Sequence, residues 1–169
     1  MSRPDLSRVP ESFHGYINKV KQDDLMTAFD KQSKKMIRFF KNIPEEKHDY
    51  SYAEGKWTLK ELLQHIIDAE RVFCYRALTI SRNDKTNLPG FDENAWAPAS
   101  NAVARNWKDL IEEFKSTRKS SEYLFDSFSD EQLERNGTTN NNPNYVLGLG
   151  FIVVGHVAHH LKIIRERYL

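Results

Sequence analysis

Two histidines of the chain stand four residues apart, at positions 156 and 160. At this spacing on a helix, both side chains lie on one face, one turn apart, so both imidazoles can reach the same metal ion. On a helical wheel, His156 and His160 fall inside the apolar stripe of the last predicted helix. A buried imidazole needs a hydrogen-bond partner or a metal ion, since an unpartnered polar ring costs stability.

A third histidine could complete a metal site. His65 lies beside the apolar stripe of the second predicted helix, so it could face the bundle centre. Three imidazoles with an open fourth position are typical of a catalytic site for zinc or a similar divalent ion. We therefore predict that His65, His156 and His160 bind one metal ion. The alternative is that each ring only donates a hydrogen bond to a neighbouring carbonyl or carboxylate.

The other histidines are expected to lie away from this site. His14 belongs to the N-terminal segment and His48 to a polar loop. His159 lies at the edge of the apolar stripe, where it could support a ligand or face the substrate.

Four acidic residues could assist the predicted metal site. Glu61 and Asp68 lie about one turn before and after His65, where either could accept a hydrogen bond from the imidazole. Simple surface exposure is the alternative for both. Asp92 and Glu93 lie in a long connection, beside Phe91 and Trp96, that could close over the metal as a lid or only pack the end of the bundle.

Other kinds of catalytic site are not favoured. Cys74 is the single cysteine, so we expect a small buried residue in a reducing compartment rather than a disulfide or a reactive thiol. Val157 follows His156 where a zinc protease of the HExxH type carries Glu. The sequence has neither a nucleophile elbow nor a glycine-rich phosphate loop.

Four long helices are predicted to position these residues, because apolar side chains recur at helical spacing. Thr58 and Glu61 form a capping-box pattern at the start of the second helix. We expect loops at 85–100 and 136–144 and no strand of useful length. The pattern predicts an all-α four-helix bundle, as one domain over residues 1–169 with an N-terminal arm at 1–20. The helices are predicted at about 25–42, 58–83, 103–128 and 147–168.

Composition narrows the class of protein. The 169 residues contain 25 Lys and Arg against 24 Asp and Glu, a net charge of +1. Nucleic-acid binding is not favoured, because no basic surplus is present. The longest nearly apolar run, Val146 to Val154, is shorter than the ~20 residues that span a bilayer, and no secretory signal is recognisable. We expect a cytoplasmic protein that does not bind a membrane.

Three segments carry a resemblance to a known family. Residues 54–71 contain EGKWTLKE and QHIIDAER, residues 88–93 read LPGFDE, and residues 155–160 read GHVAHH. With these motifs the chain, from about Asp24 to Leu169, resembles the DinB-like (YfiT-like) superfamily of metal-dependent enzymes. The resemblance implies a four-helix bundle of up-down-down-up topology, often dimeric, with a divalent metal, typically nickel or zinc. Position by position, His65, His156 and His160 match the family's three ligands.

The resemblance leaves the reaction open. Some members are similar to thiol transferases that join a low-molecular-weight thiol to an electrophile, and others to isomerases. We expect a metal-dependent transferase or hydrolase that activates a thiolate or water, acts on a small-molecule substrate and forms a homodimer. The alternatives are a non-catalytic protein that binds metal for stability or sensing, and a stress-related interaction protein that dimerises through its helix faces.

Overall fold

The structure, a computed structural model, describes residues 3–169. These residues form seven α-helices and one antiparallel pair of strands, with short 3-10 turns at Leu6–Arg8, Glu45–Lys47 and Ala102–Ala104. A π-helical turn over Ile164–Tyr168 continues the last helix. The helices are α1 (Glu11–Ile17), α2 (Leu25–Lys41), α3 (Leu59–Ser81), α4 (Glu93–Ala99), α5 (Trp107–Asp126), α6 (Asp130–Leu133) and α7 (Val146–Ile163), and the strands are β1 (Asn136–Thr139) and β2 (Asn142–Tyr145).

Helices α2, α3, α5 and α7 form the predicted four-helix bundle. Helix α2 packs against α5 and α7, and α3 packs against the same two helices, so α2 and α3 lie diagonally opposite. Phe40 near the end of α2 contacts Trp107 at the start of α5. Phe29 near the start of α2 contacts Phe125 near the end of α5, so these two helices are antiparallel.

The direction of α3 completes the topology. Arg71 pairs with Glu113, and Cys74, one turn later, donates a hydrogen bond to Ser121, two turns later on α5. Helices α3 and α5 are therefore parallel, whereas the ring contacts between α3 and α7 advance in opposite directions. With α2 taken as up, the order is up-down-down-up, and the predicted all-α fold is confirmed.

A polar layer divides the apolar core of the bundle into two clusters. One cluster holds the start of α2, the second half of α3 and the first half of α7, and the other holds the opposite ends of these helices. Between them, all four helices contribute polar side chains. They are Gln32, Ser33, Glu70, Arg118, Ser121 and His156.

Helix α7 differs from the prediction of a single apolar stripe, because nearly all of its side chains are buried. Helix α1 packs along it, so the N-terminal segment predicted as an arm covers the bundle's last helix. The stretch Val146–Tyr168 is long and apolar enough to cross a membrane, but 78% of its most apolar window is buried inside the fold. Its apolar composition is that of a core helix.

The hairpin of β1 and β2 corrects the prediction of a plain loop at 136–144. Asn140 and Asn141 have positive φ angles of 50° and 60°. Such angles suit the two-residue turns that match the twist of paired strands, and asparagine tolerates them. The strands were missed because each has only four residues, too few for an alternating pattern.

The start of one helix and the form of one connection also differ from the prediction. Helix α5 begins at Trp107 rather than Val103, because Asn106 caps it by accepting a hydrogen bond from the Lys108 backbone. Val103 lies in a 3-10 turn and is 48% exposed. As predicted, the connection 85–100 is not helical throughout. Its second half nevertheless forms helix α4.

Candidate metal centre

Three histidines converge inside the bundle where α3 crosses α7. A capping box between Thr58 and Glu61 starts α3 and thereby sets the face on which His65 projects toward α7. The His65 Nε2 atom lies 3.1 Å from His156 Nε2, and His160 Nε2 lies 3.0 Å from the same atom. The structure therefore brings together the three histidines that the sequence singled out. Their potential ligand nitrogens all lie within 4.8 Å of one another.

The rings have the protonation state that metal binding needs. Burial lowers the pKa of His65 to about 4, against the opposing charge of Glu93. Burial, and after it the neighbouring His160, lowers the pKa of His156 well below its usual value, and burial does the same for His160. All three imidazoles are thus neutral near pH 7, so each keeps a lone pair for coordination.

The donor set fits a divalent ion of the zinc type. Nitrogens bound to zinc at 2.0–2.1 Å in a tetrahedron are about 3.3 Å apart, close to the 3.0 and 3.1 Å between these Nε2 atoms. A neutral ring has a single N–H, so three converging Nε2 atoms are better satisfied by a shared cation than by each other. No fourth His, Cys, Asp or Glu joins the cluster within residues 3–169.

Aromatic side chains pack against two of the three rings, and no carboxylate bonds any of the three within residues 3–169. Trp57 lies 4.8 Å from the His65 ring, and Phe73 and Tyr16 lie 5.8 and 5.5 Å from the His156 ring, measured between centroids. His160 Nδ1 is buried without a hydrogen-bond partner in the described part of the chain.

Of the two possibilities left open for Glu61 and Asp68, the structure does not support a hydrogen bond from either carboxylate to a ligand imidazole. Glu61 accepts hydrogen bonds from the backbone and hydroxyl of Thr58, as part of the capping box. Asp68 accepts a hydrogen bond from Gln64 and pairs with Arg71. Both carboxylates are thus used along their own helix, and neither has a hydrogen bond to an imidazole among the contacts of residues 3–169.

A cavity of about 320 Å³ opens beside the three histidines. Glu93 and Phe91 line it, as the lid hypothesis for the 85–100 connection requires. Asp92 does not, since its carboxylate caps α4; Trp96 packs on Phe91, 4.8 Å away, and is partly exposed. The remaining lining residues are Pro10, Ser12, Phe13, Tyr16, Trp57, His65, Ala69, Phe73, Arg76, Gly90, Thr139, Asn140, Asn142, His156 and His160.

Sequence reasoning missed the contribution of α1. Phe13 and Tyr16, about one turn apart on α1, both line the cavity, and their aromatic spacing was the available signal. His159 packs against Tyr16 and His160 at 5.0 and 5.1 Å. His159 itself is not part of the cavity wall, and burial lowers its pKa.

The remaining predicted positions lie elsewhere. His14 bonds backbone carbonyls of the N-terminal segment, and His48 stacks on Trp107 at 4.4 Å. Cys74 lies behind α3 with its thiol on Ser121, and burial raises its pKa to about 12. None of these side chains contributes to the cavity.

The polar layer of the core is hydrogen-bonded to the part of α7 that carries two of the histidines. Sequence reasoning missed this layer too. Arg118 donates hydrogen bonds to Glu70 and Gln32, and Gln32 donates one to the Val154 carbonyl of α7, at 2.8 Å. Val154 lies two residues before His156. The network therefore ties the ligand-bearing stretch of α7 to α2, α3 and α5.

Sequence comparison relates the chain to a known superfamily. A sequence model of the DinB superfamily matches residues 28–164. A protein of Oceanobacillus iheyensis named "Putative metal-dependent hydrolase OB0413" is 26% identical over 97 residues, which are 56% of this chain and 54% of that protein. The chain therefore matches about half the length of this relative.

A solved structure has the same fold. It is described as "YfiT from Bacillus subtilis is a probable metal-dependent hydrolase with an unusual four-helix bundle topology". The two structures superpose with a TM-score of 0.65 over 96% of this chain and 89% of the other, at 17% sequence identity. At this identity, the similarity shows a common architecture.

Proposed function

The chain belongs to the DinB superfamily, and from this premise we propose that it is a metal-dependent enzyme whose divalent ion is bound by His65, His156 and His160. The observation that carries the proposal is the convergence of three neutral imidazole nitrogens at the wall of a cavity. We propose zinc as the ion and nickel as its closest competitor, since imidazole nitrogens suit both.

The site is proposed to be catalytic because three protein ligands leave a coordination position open. A divalent ion bound by the three histidines would supply Lewis acidity, which would lower the pKa of a coordinated water toward about 7 and deprotonate a coordinated thiol. Glu93 lines the cavity, and its negative charge opposes the lowering of the His65 pKa, so we propose that its carboxylate accepts the proton that the nucleophile would lose. Trp57 and Phe73 form apolar walls that keep bulk water from the histidines.

Hydrolysis of a small-molecule substrate is the first candidate reaction, in agreement with the names of the relative and of the structural neighbour. Transfer of a low-molecular-weight thiol to an electrophile is the second. The cavity extends from the histidines to the β-hairpin. This extent supports a reaction in which two reactants bind together. Cys74 lies outside this cavity, so the thiol in such a reaction comes from a substrate.

Metal analysis tests the proposal. Protein purified without chelators and without a metal-affinity column is expected to hold about one divalent ion per chain, measured by mass spectrometry of the elements. His65→Ala and His160→Ala are expected to lose it. His159→Ala is the matched control, on the same helix but outside the cluster, and should retain it. Wild-type protein that holds no stoichiometric metal, even after reloading, contradicts the proposal.

Activity assays then separate the reactions. Metal-dependent cleavage of p-nitrophenyl esters supports the hydrolase. Metal-dependent loss of cysteine thiol in the presence of monochlorobimane supports the transferase, in which a sulfur–carbon bond forms, chloride leaves and the thiol proton is released. Metal-loaded protein that is inactive with broad panels of both kinds supports a non-catalytic metal-binding role.

Two further expectations belong with this proposal. We propose that the protein acts as a homodimer, which light scattering coupled to size-exclusion chromatography measures. We also propose that it is cytoplasmic, which fractionation of cells that express it measures.

A further inference from the structure

We infer that Arg76 recognises an anionic group of the ligand, a carboxylate or a phosphate, at the end of the cavity away from the three histidines. The inference rests on the proposed function only in taking this cavity as the substrate site. Recognition by Arg76 needs no metal, so it is measurable whether or not the histidines hold one.

Arg76 lies on the same face of α3 as His65. The two residues are eleven positions apart, which is about three helical turns and about 16 Å along the helix axis. Ala69 and Phe73 occupy the turns between them, and all four side chains line the cavity. One wall of the cavity thus runs from an imidazole, past an apolar middle, to a guanidinium.

The hydrogen bonding of Arg76 is incomplete. The residue is only 4% exposed, and its Nη2 donates to the Pro89 carbonyl at 2.7 Å. Its Nε is buried without any hydrogen-bond partner, and no carboxylate pairs with it within the described residues. A buried charge without a counter-ion is costly, and here burial lowers the pKa of the guanidinium.

Arg118 shows what a buried arginine of this fold has when its role is structural. It is equally buried, and the Glu70 carboxylate accepts hydrogen bonds from its Nε and Nη2. Arg76 has the same charge and a similar depth but no such carboxylate. An anion from a ligand would supply the missing partner, through a charge-assisted hydrogen bond that arginine suits well.

The surroundings of Arg76 suit an anion better than the histidine end does. Asn140 and Asn142 of the hairpin line the same cavity, and their side-chain amides are hydrogen-bond donors. Glu93 lines the cavity too, but its charge acts on His65 and on Tyr16, which places it toward the histidines. In the metal-free protein the cavity therefore has the Glu93 carboxylate toward the histidines and the Arg76 guanidinium at the other end, and the ligand it fits is elongated, with its reactive bond at the histidines.

Binding of matched probes to the metal-free protein tests the inference. The probes are 4-phenylbutyrate, the neutral 4-phenylbutyramide and phenyl phosphate, and binding is followed through the ¹⁵N resonance of Arg76 Nε, identified by its absence in Arg76→Gln. We expect an anion to shift this resonance and to bind at least about tenfold more tightly than the amide, the size of effect of a charge-assisted hydrogen bond. The carboxylate and phosphate arms show which anion is preferred.

Two variants isolate the contribution of Arg76. Arg76→Gln is expected to bind the anions no better than the amide, and Arg76→Lys to regain part of the preference. Arg71→Gln is the control, since it removes a charge from the same helix outside the cavity. If Arg76→Gln does not fold, Arg76→Lys, which also lacks the arginine Nε, identifies the resonance, and the wild-type affinities and this resonance decide.

Equal binding of anions and amide overturns the inference, as does an Nε resonance that no probe shifts. His160→Ala separates this result from the proposed function, because it removes a proposed metal ligand and leaves Arg76 in place. Anion binding retained in a protein that never holds metal would leave the inference standing and the metal proposal overturned. Stoichiometric metal without a preference for anions would leave the metal proposal standing and overturn the inference.

Discussion

The guanidinium of Arg118 donates three hydrogen bonds to the carboxylate of Glu70 at the centre of the bundle, at 2.7, 2.9 and 3.2 Å. The two side chains are 1% and 2% exposed. Ser121 adds a hydroxyl hydrogen bond to the same carboxylate at 2.7 Å. Glu70 thus neutralises the positive charge that Arg118 of α5 brings into the core.

Glu70→Gln is expected to destabilise the protein strongly. The substitution leaves Arg118 as an uncompensated buried charge, and loss of one partner of a buried pair costs about 3–5 kcal/mol. Urea unfolding measures the free energy. Asp30→Asn is the control, since Asp30 pairs with Lys34 on the surface of α2 and such exposed pairs contribute below about 1 kcal/mol. Similar small losses for both variants would contradict a structural role for Glu70.

The stability of the metal-free protein is expected to fall as the pH drops below about 6.5. Burial lowers the pKa of His65 to about 4 and that of His156 and His160 well below 6.5. Unfolding restores the ordinary value of about 6.5, so below that pH the unfolded chain binds more protons than the folded one, and acid favours unfolding. The loss continues until the folded pKa is reached, near pH 4 for His65.

At pH 5 His65 is expected to cost about 2 kcal/mol relative to pH 7, because its pKa is about 4 in the folded protein against about 6.5 in the unfolded chain; His156 and His160 add to the loss in the same direction. Urea unfolding of chelator-treated protein at the two pH values measures the loss. His160→Gln removes one titrating ring and should flatten the dependence, whereas His48→Gln, outside the cluster, should not. Equal wild-type stability at pH 7 and pH 5 would show that the rings are not held neutral.

Gly155→Ala is expected to destabilise the protein although alanine favours helices. An added Cβ at this position would overlap the Tyr16 carbonyl group of α1, and backbone cannot move aside as a side chain can. The clash should push α1 from α7 at a cost of at least about 1–3 kcal/mol, the usual range for overpacking. Thermal unfolding measures it.

Gly15→Ala is the matched control for that substitution. Its Cβ would meet nothing within 4 Å, and Gly15 lies inside α1, so alanine should stabilise by up to about 1 kcal/mol through helix propensity. The two variants are thus predicted to shift the unfolding temperature in opposite directions. A shift in the same direction would mean that α1 does not pack on α7 as described.

Cys74 is expected to react slowly with thiol reagents in the folded protein. Burial raises the pKa of its thiol to about 12, with Glu70 as the next cause, so the reactive thiolate is scarce near pH 8. The rate of reaction with Ellman's reagent, compared between native protein and protein in urea, measures this. Fast native reaction would place Cys74 at an accessible site.

Local sequence patterns were sufficient for the four long helices. Asp24 and Thr58 cap α2 and α3 as expected for their residue types, and Glu61 completes the box at α3. Helix periodicity also predicted that His156 and His160 share a buried face, because that relation depends only on residues one turn apart. The hairpin at Asn140 and α1 over α7 escaped detection, since both segments are too short to show a period.

The tertiary structure decided which distant residues meet. His65 comes within 3.1 Å of His156 only because α3 packs antiparallel to α7 at one register, which no spacing along the chain encodes. The pairing of Glu70 with Arg118 depends on the same packing, and so does the missing partner of Arg76. The sequence by itself therefore determined the helices and the faces of their histidines. Packing decided that three of these rings converge, and that the buried Arg76, at the other end of the same cavity, has no carboxylate partner among residues 3–169.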